Sequence, residues 1–273
     1  MTLPTNDGLD AIMADPAGAV IGLDFDGTLS PIVADPAQAY VHPEAPAVLA
    51  ELAGHVRAVV IVTGRPPATA LALGAAPAGP SLEDVPGLVI LGHYGLERWE
   101  GGRITAPPPP AGLDLVRARL PELVRGMDGV VIEDKERAVA VHTRRSPDPA
   151  AALDALREPV ARLAADAGLA VEPGRMVLEL RPPGMDKGRA LTAFLTERGA
   201  RSVMFVGDDL GDLAAFDAVD AAGLPGVRVC SGSAEVTALA ERADVVVDGP
   251  AGVVALLGDL CEAIGKRSAR GAS

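Results

Sequence analysis

Asp24 and Asp26 stand in the segment Asp24-Phe25-Asp26-Gly27-Thr28-Leu29, directly behind an apolar run that extends from Gly18 to Leu23. Apolar residues followed by charge read as a buried strand that ends at solvent, the usual place for reacting groups in an open α/β sheet. The two carboxylates crowd each other's charge, a cost that a hard cation with oxygen ligands or a reacting group would relieve. Taken alone, the same residues also suit an ordinary turn.

Further along the chain, more groups of this kind follow apolar runs. Thr63-Gly64-Arg65 sits behind Val60-Ile61-Val62 and before a helical stretch, so a hydroxyl and free helix amides face any anion there. Helix capping by Thr63 is the competing role. Lys187-Gly188 falls at an expected helix start, where the helix dipole disfavours a cation unless an anion is bound; a solvent-pointing lysine is the alternative. Gly207-Asp208-Asp209-Leu210-Gly211-Asp212 places carboxylates after Val203-Met204-Phe205-Val206, as a metal site or as a solvated acidic loop.

These groups need a scaffold, and the pattern along the chain supplies one. Short β-branched runs at 20–23, 56–62, 88–91, 203–206, 226–229 and 245–247 alternate with helical stretches near 43–54, 66–74, 187–199, 212–221, 234–241 and 252–264. The alternation predicts βα units around a Rossmann-like parallel sheet, and wholly apolar strands imply cover on both faces. The middle of the chain differs: Pro107-Pro108-Pro109-Pro110 is a stiff segment without backbone donors. Helices at 112–125 and 150–167 and strands around 129–133, 138–142 and 176–180 follow, before Pro182-Pro183-Gly184 closes the stretch. The expected organisation is a core of residues 1–106 and 184–273 with a smaller inserted α+β cap at 107–183. A disordered tail is expected at 266–273.

Composition narrows the classes of function. Aromatics are 3% of the 273 residues and the net charge is −13, both of which argue against nucleic-acid binding. A phosphorylated small molecule needs only a few local cations and is compatible with this charge. Two cysteines, Cys230 and Cys261, make no disulfide framework and fit a reducing, cytoplasmic setting. No secretory signal is expected at residues 1–18, and no apolar segment reaches the ~18–20 residues of a membrane span. No Gly-x-Gly-x-x-Gly follows the first strand, which excludes a dinucleotide-binding domain.

Asp24-Phe25-Asp26-Gly27-Thr28, Thr63, Lys187 and Gly207-Asp208-Asp209 with Asp212, in this order, resemble the four motifs of haloacid-dehalogenase-superfamily phosphatases. The sequence is further similar to trehalose-6-phosphate phosphatases in Leu29-Ser30-Pro31-Ile32, Gly92-His93-Tyr94-Gly95-Leu96-Glu97 and Glu179-Leu180-Arg181-Pro182, and in Glu133-Asp134-Lys135 and His142-Thr143-Arg144 of the insert. Gly211 and Leu213 depart from the family, which usually carries Thr and Glu at those places.

The resemblance implies a haloacid-dehalogenase core with a cap, and a Mg²⁺-dependent hydrolysis of trehalose 6-phosphate through an aspartyl phosphate. It implies that Asp24 is the nucleophile, Asp26 the acid and base, and Thr63 and Lys187 the phosphoryl ligands. Asp24, the backbone carbonyl of Asp26 and Asp208 would hold Mg²⁺, with Asp209 and Asp212 in support. Glu133, Lys135, Glu179, His142 and Arg144 of the cap would grip the sugar, with His93 as a further pocket residue, Arg65 and Glu97 as pocket or hinge residues, and Pro107–Pro110 and Pro182–Gly184 as the hinges. A buried, satisfied His93 and water-facing cap charges are the structural alternatives. The substrate would come from a trehalose-6-phosphate synthase. Sucrose phosphate or mannosylphosphoglycerate as substrate, or a catalytically silent sugar-phosphate-binding module, are the alternatives of function. A phosphomutase would have to retain the phosphate on the enzyme, for which the sequence offers nothing.

Overall fold

A computed structural model describes residues 3–75, 79–174, 176–232 and 237–271 of the chain. In order it contains α1 (Asp7–Ala14), β1 (Ala19–Leu23), α2 (Ala45–Ala53), β2 (Ala58–Val62), α3 (Pro67–Leu73), β3 (Val89–Gly92), β4 (Glu97–Glu100) and β5 (Arg103–Thr105). Then follow α4 (Gly112–Leu123), β6 (Val131–Asp134), β7 (Val139–His142), α5 (Pro149–Asp166), β8 (Ala170–Gly174) and β9 (Val177–Arg181). The chain ends with α6 (Lys187–Arg198), β10 (Ser202–Gly207), α7 (Leu213–Ala221), β11 (Gly226–Gly232), α8 (Thr237–Arg242), β12 (Val245–Asp248) and α9 (Gly249–Gly271). By contacts it divides into two compact units, one from Pro107 to Met185 and one from the flanking segments up to Ala106 and from Asp186.

The larger unit is built on an eight-stranded sheet of order β12-β11-β10-β1-β2-β3-β4-β5. From β12 to β3 the neighbours are parallel, and β4 and β5 add an antiparallel hairpin at the edge. Every residue of β1 and β2 is buried because alternate side chains enter two separate cores. Ile21, Leu23, Val59, Ile61, Met204 and Val206 join one core with Leu9, Leu49 and Leu257 from α1, α2 and α9. Val20, Val60, Val62, Val203 and Phe205 join the other with Leu191, Phe194 and Phe216 from α6 and α7. The chain leaves β1 to one side for β2 and later returns on the other side as β10, so the carboxyl end of β1 is a topological switch point.

The smaller unit is an antiparallel four-stranded sheet of order β6-β7-β9-β8 with α4 and α5 on one face. Val139, Val141, Leu178 and Leu180 point into its core with Leu113, Val116 and Leu120 of α4 and Leu156 and Leu163 of α5, which leaves the alternate strand positions on the opposite face.

Some elements differ from expectation. The β4–β5 hairpin carries Glu97, Arg98, Glu100 and Arg103, and its charges mask a strand pattern; the signal was Gly101-Gly102, both at positive φ as a tight hairpin turn requires. Helix α1 is short, and its Asn6 cap, which accepts from the amides of Gly8 and Leu9, marks its start. The tail expected to be disordered continues α9 as far as Gly271, with Lys266 bonded to Glu262 one turn back at 2.7 Å. Residues 272–273, and residues 234–236 of the helix expected at 234–241, lie outside the described residues.

Candidate active site

At the carboxyl end of β1 the backbone continues into Asp24, whose amide donates to the carbonyl of Val206 at 2.8 Å. The loop then turns on itself, with the amide of Gly27 donating to the carbonyl of Ser30 at 2.7 Å. Gly27 has φ +74, and a Cβ there would lie 1.9 Å from Oδ2 of Asp208, so the absence of a side chain lets the Asp208 carboxylate rest against the loop. Ser231 of β11, buried, donates its hydroxyl to the carbonyl of Gly27 at 2.7 Å and ties the loop to a third strand. Sequence reasoning missed Ser231, because nothing in Cys230-Ser231-Gly232 distinguishes it from any strand end.

Lys187 opens α6, and its ammonium lies 2.8 Å from Oδ1 of Asp24 and 2.8 Å from Oδ1 of Asp212. All three side chains are buried. A cation at a helix N-terminus opposes the helix dipole, and here two carboxylates offset that cost. Burial works against the ammonium, but Asp212 and Asp24 overcome it and hold Lys187 well above the ordinary lysine range. Asp212 is fully committed: Oδ1 accepts from Lys187, and Oδ2 accepts from the amides of Asp208 at 3.0 Å and Asp209 at 3.2 Å. Asp209 is exposed and caps the turn it begins, accepting from the amide of Gly211 at 2.8 Å.

Carboxylate oxygens of Asp24, Asp208 and Asp212 lie within 4.8 Å of one another. One ammonium therefore faces three buried carboxylates, and the deficit of positive charge is visible in their acidities. Burial, reinforced by Asp212 and Asp209, pushes Asp208 up to about 7. Burial likewise raises Asp24 well above the carboxylate range, partly offset by Lys187. The donor set fits a hard divalent cation: oxygen ligands, excess negative charge, and an Asp208 carboxylate that accepts no hydrogen bond among the described residues. Asp212 lies in the same cluster, but its spent oxygens suit it to orient Lys187 and the Asp208 backbone.

Thr63 follows β2, buried, with its hydroxyl oxygen accepting from the amide of Arg65 at 3.1 Å. The hydroxyl proton is thereby left for another acceptor. Arg65 places Nε 2.7 Å from Oδ2 and Nη2 2.6 Å from Oδ1 of Asp26, a parallel double hydrogen bond. His93 is buried, 4.0 Å from Glu97, and its amide donates to the carbonyl of Arg65 at 3.1 Å.

In the smaller unit, Glu133, Ala140, Glu179 and Glu172 are register partners across the sheet and share the face that turns away from α4 and α5. Lys135 bonds Glu179 at 2.6 Å, His142 lies 2.8 Å from Glu133, and Arg181 bonds Glu172 at 2.6 Å. Glu179 is buried, and its Oε1 accepts no hydrogen bond among the described residues. Arg144 is exposed beyond the end of β7. Among the described residues no helix is long and apolar enough to cross a membrane.

An aspartate at the switch point of a parallel sheet, an ammonium against it and a second buried aspartate beside them stand on the fold of the haloacid-dehalogenase-like hydrolases. The same fold occurs in the solved C-terminal domain of trehalose-6-phosphate phosphatase from C. albicans, 21% identical, which matches over 96% of this chain and 99% of that one with a TM-score of 0.75. The chain belongs to the trehalose-phosphatase family, whose model matches residues 22–247. It is 34% identical over 227 residues to a probable trehalose-phosphate phosphatase of Sinorhizobium fredii (strain NBRC 101917 / NGR234), covering 82% of each protein. To the trehalose-phosphate phosphatase of Mycobacterium avium (strain 104) it is 33% identical over 76% of its own length, and it spans 52% of that longer protein.

Proposed function

We propose that this chain hydrolyses trehalose 6-phosphate to trehalose and phosphate through a phosphorylated Asp24. The observation that carries the reading is the Lys187 ammonium, 2.8 Å from a buried aspartate at the sheet's switch point, beside an Asp208 carboxylate that accepts no hydrogen bond among the described residues. In the first half, a carboxylate oxygen of Asp24 attacks phosphorus, the bond from phosphorus to the sugar oxygen breaks, and Asp26 gives that oxygen its proton. In the second, water attacks phosphorus and yields a proton to Asp26, while the bond to Asp24 breaks and phosphate leaves. Two displacements replace one difficult step. Lys187 and the free proton of the Thr63 hydroxyl stabilise the phosphoryl oxygens, in a reaction whose catalysis is mainly positioning and electrostatics.

Asp24, the backbone carbonyl of Asp26 and Asp208 would hold Mg²⁺, which when bound supplies the positive charge that lets an anionic ester approach an anionic nucleophile. Asp209 and Asp212 support these groups from behind. Selectivity for the sugar we assign to the polar sheet face of the smaller unit, with Glu133, Lys135, Glu179, His142 and Arg144. The buried Oε1 of Glu179 supports that assignment, since a buried acceptor without a donor costs roughly 1–3 kcal/mol and a sugar hydroxyl would satisfy it. His93 we keep as a further pocket residue on the larger unit, with Glu97 4.0 Å from it. We place the enzyme in the cytoplasm, where its two free cysteines, Cys230 and Cys261, stay reduced, downstream of a trehalose-6-phosphate synthase.

The test is phosphate release from trehalose 6-phosphate with Mg²⁺, against glucose 6-phosphate as control. Asp24→Asn should reduce it by at least on the order of 10³-fold, and chelation should abolish it. A clear preference for sucrose phosphate or mannosylphosphoglycerate would reject the substrate. Sugar-phosphate binding with no release from any ester would leave a binding module.

A further inference from the structure

We infer that Arg65 is the positioning residue of Asp26, holding that carboxylate in place for proton transfer, and is not a ligand of the sugar phosphate. The inference rests on the acid and base role proposed above for Asp26.

The pair is fixed on every side. Both carboxylate oxygens of Asp26 accept from the Arg65 fork, at 2.6 and 2.7 Å, so the carboxylate plane and its torsion are set together. Nη2 of Arg65 also donates to the carbonyl of Pro36 at 3.1 Å, and the guanidinium carbon stands 5.5 Å from the centre of the Phe25 ring. The Arg65 side chain is 15% exposed against 35% for Asp26, so the arginine is the anchored partner and the aspartate the one that faces outward.

The backbone beneath Arg65 is fixed as well. Its amide donates to the Thr63 hydroxyl at 3.1 Å, its carbonyl accepts from His93 at 3.1 Å, and the carbonyl of Thr63 accepts from Tyr94 at 2.9 Å. His93 and Tyr94 have φ 47 and 57, two successive non-glycine residues in the left-handed region. Such strain persists only where the surroundings impose it, and here it delivers two amides to the Thr63–Arg65 loop. A Cβ on Gly64 would come within 2.7 Å of the Tyr94 hydroxyl, so the loop and the strained turn are packed without room to spare. One rigid strip thus carries both the phosphoryl ligand Thr63 and the arginine that sets Asp26.

The chemistry says which half-reaction depends on the pair. Asp26 becomes a carboxylate when it has given its proton to the sugar oxygen, and a carboxylate is the form that accepts both donors of the fork. In that state it must take a proton from the water that attacks phosphorus, while the bond from phosphorus to Asp24 breaks. An aryl phosphate with a good leaving group needs no proton to leave, so it phosphorylates Asp24 without Asp26 and then depends on Asp26 for hydrolysis. Displacing a positioned group by about 1 Å can cost on the order of 10²-fold.

The experiment is stopped-flow kinetics of Arg65→Ala with p-nitrophenyl phosphate and Mg²⁺, beside steady-state kinetics on trehalose 6-phosphate. A burst of nitrophenolate at a rate within about threefold of the unmodified enzyme should precede turnover slowed on the order of 10²-fold. On trehalose 6-phosphate, kcat should fall by a similar order with KM within about threefold, and added guanidinium ion should restore part of the loss. Should Arg65→Ala not fold, Arg65→Lys, which keeps the charge and loses the fork, is expected to show the same burst. A raised KM with kcat preserved would overturn the inference by making Arg65 a substrate ligand. Equal loss of burst rate and turnover would overturn it in favour of a structural role. Asp26→Asn separates the two failures: if it turns over the sugar phosphate normally, the role of Asp26 itself is wrong. If it is inactive while Arg65→Ala shows no split, only the present inference fails.

Discussion

Two aspartates one residue apart receive opposite surroundings. Asp24 is buried against an ammonium, whereas Asp26 reaches outward to a guanidinium fork. The difference follows from where the chain leaves the sheet: the amide of Asp24 still pairs with the carbonyl of Val206 beyond the end of β1, whereas Asp26 stands in the loop that turns on itself through Gly27 and Ser30. Gly27 is as necessary as either, because its backbone at φ +74 occupies the space against the Asp208 carboxylate. Gly27→Ala should displace Asp208, so phosphatase activity and the rise in melting temperature on adding Mg²⁺ should both disappear, as calorimetry can show. The acidity of Asp208 gives a second outcome. Its folded value, about 7, lies above the ordinary 3.8, so the folded state binds the proton more tightly. The stability it contributes without metal is full below the ordinary value and is lost as pH rises through about 7. The melting temperature of the metal-free protein minus that of Asp208→Asn should therefore decline over that range, and Mg²⁺ should oppose the decline.

At the scale of elements, α6 is fixed at both ends. Its first residue is Lys187, and near its last turn Arg98 of β4 bonds Glu197 at 2.6 and 2.8 Å, while Arg198 bonds Glu100. Arg98 and Arg198 both lie over the Phe194 ring, at 5.7 and 5.0 Å from its centre. The hairpin that charge concealed in the sequence is what anchors the helix that opens with Lys187. Hydrogen bonds from Arg98 hold Glu197 below the usual carboxylate range; at Glu100 burial acts upward and bonds from Arg198 and Arg98 outweigh it. Their contribution is present above the ordinary glutamate value of 4.5 and is lost as pH falls through the lowered folded values. Arg98→Ala should lower the melting temperature at neutral pH and do so less and less as pH falls below the ordinary glutamate value of 4.5. These pairs are partly exposed, so each is worth no more than about 1 kcal/mol. The parallel strands were legible because their runs are mainly apolar; β4, β5 and β8 were not, because β4 is mostly charged, β5 is exposed throughout and β8 buries no residue, and propensity is weak there.

For the whole molecule, each unit has its own core, which suits a division of labour in which the larger unit handles phosphate and the smaller handles sugar. If that proposal holds, Glu133→Ala and Lys135→Ala should raise KM for trehalose 6-phosphate by on the order of ten- to a hundredfold while sparing p-nitrophenyl phosphate, since each removes a charged hydrogen bond. Equal losses on both substrates would refute it. The sequence by itself determined the parallel sheet and the family, and the candidate groups with their order along the chain, because an apolar run followed by a reactive residue is a local pattern. The tertiary structure alone decided the partners: Arg65 with Asp26 across 39 residues, Lys187 with Asp212 across 25, Lys135 with Glu179 across 44, and Ser231 with Gly27 across 204. A hydrogen bond forms between groups that folding brings within about 3 Å, and spacing along a chain carries no record of that distance.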